Sequence, residues 1–97
     1  MSAFLLTRRR AGPQWEPTRP VEAQSRWEEH ARVMDELVER GVIVLGGPVG
    51  AGERVVLVCE AATADALIAA FADDPWTASH LVDEIEPLTI RLDARRR

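Results

Sequence analysis

The chain has 97 residues, 46% of them hydrophobic and 29% charged, which suits one globular domain with a single modest core. The formal net charge is −4 although there are 12 basic residues, all of them arginine. That acidic balance argues against a nucleic-acid partner, and the absence of any apolar run of membrane-spanning length argues against a membrane partner. The N-terminal apolar stretch is too short for a secretory signal, so a cytoplasmic location is the default expectation.

Ala3 to Arg9 opens with apolar residues and predicts a first strand. Ala11 to Pro20 holds three prolines and a glycine around Trp15, which excludes a regular element and predicts a long loop. Val21 to Arg40 predicts the first helix, with Glu28–Arg32 and Glu36–Arg40 as pairs four residues apart and Gly41 as its left-handed stop. Val42 to Leu45 predicts a second strand stopped by Gly46-Gly47-Pro48. A turn at Gly50-Ala51-Gly52 leads to a third strand, Val55 to Cys59. Thr63 to Ala72 predicts the second helix, capped by Thr63 and closed before Pro75, with Ala64, Leu67, Ile68 and Phe71 as its apolar face. Ile85 to Leu92 predicts the last strand.

The order βαββαβ predicts an α+β, ferredoxin-like fold with a four-stranded antiparallel sheet and both helices on one face. The second and third strands do not alternate: Val42-Ile43-Val44-Leu45 and Val55-Val56-Leu57-Val58 are apolar on both faces. Something must cover the second face, and a second copy of the chain is the simplest cover. A homodimer is therefore expected. The single cysteine, Cys59, lies in an apolar run and reads as a buried, inert thiol. The Arg8–Arg10 and Arg95–Arg97 clusters read as solvated ends, with anion binding as the alternative.

His30 is the first candidate for chemistry. It lies on the helical stripe Trp27, Ala31, Met34, Leu37, Val38, where an apolar residue is expected. An imidazole with an ordinary pKa of about 6.5 suits proton transfer near neutral pH, and a carboxylate from the corner Asp73-Asp74-Pro75-Trp76 would orient it. The plainer reading is a core histidine bonded to a carbonyl or carboxylate. Asp73 and Asp74 compete for the partner role, and position alone does not separate them. Arg26 lies beside the stripe, as an anion binder or as the partner of a nearby glutamate. Trp15, Trp27 and Trp76 are candidates for an aromatic pocket, with Trp27 more naturally in the core. His80 reads as a turn histidine, with a site role as the alternative. No Cys–His set has zinc spacing, and Gly46-Gly47-Pro48-Val49-Gly50 lacks the residues of a phosphate loop, so neither metal nor cofactor is expected.

Arg26 and His30, Gly47-Pro48 and Asp74-Pro75-Trp76, in this order and within this element pattern, resemble the YCII-related family over most of the chain, from Ala3 to about Leu92. The resemblance implies a ferredoxin-like fold similar to the dimeric α+β barrel proteins. It implies His30 and Asp74 as a His–Asp active-site pair, and a substrate pocket near Gly47 and Pro48. Activities described in that family include elimination of halide from chlorinated aromatic diols. The expected function is a small enzyme in which His30 and Asp74 act as an acid–base pair on a small molecule, aromatic ones included, by elimination, isomerisation or hydrolysis. The alternative is a non-catalytic ligand-binding or dimerisation module. Two departures from the family pattern bear on the substrate. Ser79-His80 stands where such sequences show a small residue and then glycine, so an imidazole narrows the pocket or adds a second acid–base group. The loop Ala11–Pro20 is longer and richer in proline.

Overall fold

A computed structural model describes residues 1–96; Arg97, the end of the C-terminal arginine cluster, lies outside the described residues. The elements are β1 (Ser2–Arg9), a single 3-10 turn (Val21–Ala23), α1 (Trp27–Glu39), β2 (Ile43–Val49), β3 (Arg54–Ala61), α2 (Ala64–Phe71) and β4 (Val82–Leu88). The four strands form one antiparallel sheet in the order β2-β3-β1-β4, an α+β arrangement with two helices.

Alternation on the central strands decides which side chains meet the helices. Phe4 and Leu6 of β1 and Leu57 and Cys59 of β3 point to one face and pack with Val33 and Leu37 of α1 and Leu67 and Phe71 of α2. The other face carries Leu5, Val56, Val58 and Leu45, and Leu45 is 64% exposed. A groove of about 520 Å³ opens there, bounded by Val44, Leu45, Val58, Leu88 and the segment 89–95.

The edge strands depart from expectation in the same way. Gly46-Gly47-Pro48 does not stop β2: Gly47 pairs with Val56 and Pro48 with Val55. Pro87 likewise sits inside β4, opposite Phe4, and β4 ends at Leu88 rather than Leu92. Both strands are at sheet edges, where a proline's missing N–H costs no ladder bond.

The first helix is shorter than its sequence pattern. It begins at Trp27, and Val21–Ala23 forms a separate turn. The Gln24 side chain explains the break. It is buried, accepts from the Glu16 amide at 2.9 Å and donates to the Glu16 and Arg19 carbonyls at 2.7 and 3.1 Å, so it ties the proline-rich loop down instead of entering a helix. Gly41 ends α1 as expected, with φ +76°; its amide bonds Val38 O and that of Val42 bonds Leu37 O, a Schellman pair. The buried face of α1 is His30, Val33 and Leu37, whereas Val38 is 54% exposed. The intrahelical ion pair is Arg32–Glu36 at 3.9 Å rather than the pairs predicted. On α2, Thr63 Oγ accepts from the Ala66 amide as an N-cap, Leu67 and Phe71 are buried, and Ala64 and Ile68 face outwards.

Candidate functional site

Arg8 organises the region. It continues the inward alternation of Phe4 and Leu6, so the strand drives its side chain beneath the helices, where it is 1% exposed. Arg8 is therefore not part of a solvated cluster. Its Nε donates to Asp83 Oδ1 at 2.8 Å, from the residue directly opposite on β4. Its Nη1 donates to Asp74 Oδ2 at 2.7 Å, and its Nη2 to Thr77 Oγ at 2.9 Å. The guanidinium lies 4.9 Å from the centre of the Phe71 ring. Thr77 can accept because its own proton goes to the Phe71 carbonyl at 2.8 Å.

Asp74 is buried and Asp73 exposed, which separates the two acids of the corner. The second oxygen of Asp74 meets His30 Nδ1 at 2.9 Å and accepts from the Trp76 amide at 3.0 Å. Burial acts to raise the Asp74 pKa. The bonds from His30 and the Trp76 amide, with the Arg8 charge, outweigh it and hold the carboxyl below its ordinary range. With Nδ1 occupied, the lone pair of a neutral His30 lies on Nε2. Among the described residues Nε2 has no partner and no buried side-chain nitrogen or oxygen lacks one, so Nε2 meets solvent.

Trp76 is 1% exposed. Its ring stacks on His30 (3.9 Å between centroids, 8° between planes) and on His80 (5.0 Å, 10°). Trp15 meets it edge-on at 5.7 Å and Trp27 at a tilt at 5.8 Å. Its Nε1 donates to Ser25 O at 2.8 Å. Trp76 is thus the buried centre of an aromatic cluster, not an open wall. His80 is fully buried rather than a surface turn residue. Its Nε2 meets Ser25 Oγ at 2.9 Å and its Nδ1 meets Ser79 Oγ at 2.7 Å. Burial first, then the nearby His30, pushes the His80 pKa below its ordinary value.

The loop after β1 closes over this corner. Gly12 N and Gln14 N donate to the carbonyls of His80 and Ser79 at 3.0 and 2.7 Å. A Cβ at Gly12 would stand 2.5 Å from Ser79 O, so only glycine permits that approach.

The remaining expected site residues lie elsewhere. Arg26 precedes α1 in a left-handed conformation (φ 61°), is exposed, and pairs with Glu29 at 2.6 Å. Gly47 and Pro48 lie on the edge strand β2, separated from Arg8 by β3, and make no polar contact with His30 or Asp74. Cavities of about 780, 360 and 520 Å³ open on the surface, and His30 lines none of them. Among the described residues there is no group of three metal-ligating side chains, and no helix is long and apolar enough to cross a membrane.

Arg8, Thr77, Asp83 and Ser25 were not among the expected site residues. A period-2 signal marks the two charged ones: Arg8 follows Phe4 and Leu6, and Asp83 precedes Ile85, each at a core-facing position. No family model, no curated protein and no solved structure matches the chain.

Proposed function

We propose that the protein is a small YCII-like enzyme in which His30 is the general base and Asp74 its orienting carboxylate. The observation that carries this reading is the 2.9 Å contact of His30 Nδ1 with a buried Asp74 that also bonds Arg8, while His30 Nε2 reaches solvent. In that state Nε2 takes a proton from a small acidic molecule such as a phenol, and the carboxylate stabilises the imidazolium that forms. Proton removal from a halogenated aromatic diol would lead on to loss of halide, and the same base serves isomerisation or hydrolysis. The remaining parts of the proposal are a ferredoxin-like topology, a cytoplasmic location and a homodimer. A second copy is the occupant best suited to the open sheet face, because Leu5, Val56, Val58 and Leu45 leave it apolar across three strands and neither helix packs there; the segment 89–95 bounds its groove.

The test is halide release from chlorinated hydroquinones, followed for the native protein and for His30→Gln and Asp74→Asn. Loss of about 10²-fold or more in kcat in folded variants supports the base assignment. Undiminished turnover in folded His30→Gln sinks it. A second reading, a ligand-binding module without turnover, draws on the fact that His30 lines none of the three cavities described above. Binding of a chlorinated hydroquinone by calorimetry with no product formed selects that reading.

A further inference from the structure

Ser25 and His80 form a second polar pair that the His30–Asp74 reading does not use. Ser25 is exposed, two residues before α1, and its Oγ lies 2.9 Å from His80 Nε2. Counting protons assigns the donor. Ser79 Oγ gives its one proton to the Pro75 carbonyl at 2.8 Å, so it can only accept from His80, at 2.7 Å from Nδ1. In the neutral ring Nδ1 then carries the hydrogen, and the lone pair of Nε2 faces the Ser25 hydroxyl, which donates to it.

These are the parts of an activated nucleophile: a hydroxyl on the surface, a base behind it, and a third group that fixes the ring. The ring cannot swing away, because it is fully buried and stacked on Trp76. The serine is held to the same indole, since Trp76 Nε1 donates to the Ser25 carbonyl at 2.8 Å. The charged and titratable groups acting on His80 are His30, Asp74, Arg26 and Glu16, and burial is the largest influence, keeping the ring neutral and able to accept a proton near neutral pH. Trp15 and Trp27 are part-exposed and pack around Trp76, the indole that bonds the Ser25 carbonyl.

We propose that Ser25 is a nucleophile activated by His80, and that it takes an acyl group from an activated aryl ester. Ser25 Oγ forms a bond to the ester carbonyl carbon as His80 Nε2 takes the hydroxyl proton. The bond from that carbon to the phenol oxygen breaks, and the proton passes from Nε2 to the departing oxygen. A water, giving its proton to Nε2, then attacks the acyl carbon; the free acid leaves and the proton returns to Ser25. Arg26, exposed beside the serine, has its charge paired with Glu29, which leaves the aryl group as the feature recognised.

The experiment uses p-nitrophenyl acetate as the probe on the whole chain. Nitrophenolate release is followed by absorbance, and the acetylated residue is located by peptide mass mapping. The expected result is acetyl on Ser25, absent in Ser25→Ala, and an acylation rate about 10²-fold lower in His80→Gln. Ser79→Ala keeps the ring but removes the acceptor at Nδ1, so its rate falls too; this variant carries the test if His80→Gln does not fold. The native rate should fall with acid only at a pH below 6.5, the ordinary histidine value. Acetyl on other residues alone, or Ser25 acylation at the native rate in Ser79→Ala and in folded His80→Gln, overturns the proposal.

Discussion

Arg8 Nη1 donates to Asp74 Oδ2 at 2.7 Å, and neither side chain is more than 1% exposed. The bond joins a residue of the first strand to the corner after the second helix. It fixes the carboxylate that His30 and the Trp76 amide share. A buried ion pair of this kind adds little over an apolar pair, yet breaking it is costly, because the charge left behind stays buried with less to compensate it.

Arg8→Met should therefore destabilise the protein by about 3–5 kcal/mol, since it leaves Asp74 and Asp83 without their cation. Urea unfolding gives the measurement. A loss under about 1 kcal/mol would mean that the carboxylates find solvent or protons at little cost.

Acid should weaken the fold in two steps. The two buried groups, His80 and Asp74, have folded pKa values below their ordinary ones, so each contributes stability that is complete above the unfolded value and lost as pH falls towards the folded value. For His80 the loss begins below 6.5, and for Asp74 below 3.8. Urea midpoints across this range should decline at both, and His80→Asn should remove the upper decline while keeping the lower one. A native midpoint that is flat through the upper range contradicts the buried, neutral state of His80.

Gly12→Ala should cost about 1–3 kcal/mol, because the new methyl overlaps the Ser79–His80 backbone and must push the loop away. Thermal unfolding measures the loss. Gly47→Ala, where nothing lies within 4 Å of the added carbon, is the matched control and should change little.

Cys59 should not react with a soluble disulfide reagent in the native state. The side chain is fully buried, and desolvation pushes the thiol pKa up to about 11, so thiolate is scarce at neutral pH. Labelling should track unfolding by denaturant. Rapid labelling of the folded protein would show that the core around Phe4 and Ile43, its neighbours across the sheet, opens locally.

Sedimentation should return the mass of two chains for the native protein and of one for Val58→Glu, which places a charge in the middle of the open sheet face. A native mass of one chain at micromolar concentration ends the dimer proposal.

Much of the fold was legible because local physics decides it. Thr63 caps its helix with its own side chain, and Gly41 takes the left-handed position its missing Cβ permits. The apolar runs of the central strands announce burial on at least one face. Where local signals misled, a longer-range partner had won. Val21–Arg40 looks helical throughout until Gln24 bonds the loop, and Gly46-Gly47-Pro48 looks like a stop until β2 proves to be an edge. Ile68 and Val38 have helical spacing for the core and still face solvent, because spacing gives a stripe's width but not its centre.

The site divides along the same line. By itself the sequence determined the element order, the histidine on a buried helical face and the acidic corner after α2, all of which follow from neighbours within a few residues. Only the tertiary structure decided that Asp74 rather than Asp73 meets His30, that Arg8 stands behind it, and that His80 is buried with a serine at its outer nitrogen. Those contacts join residues 44, 66 and 55 positions apart. Their cause is the packing of strand, loop and helix around Trp76, which no window along the chain contains.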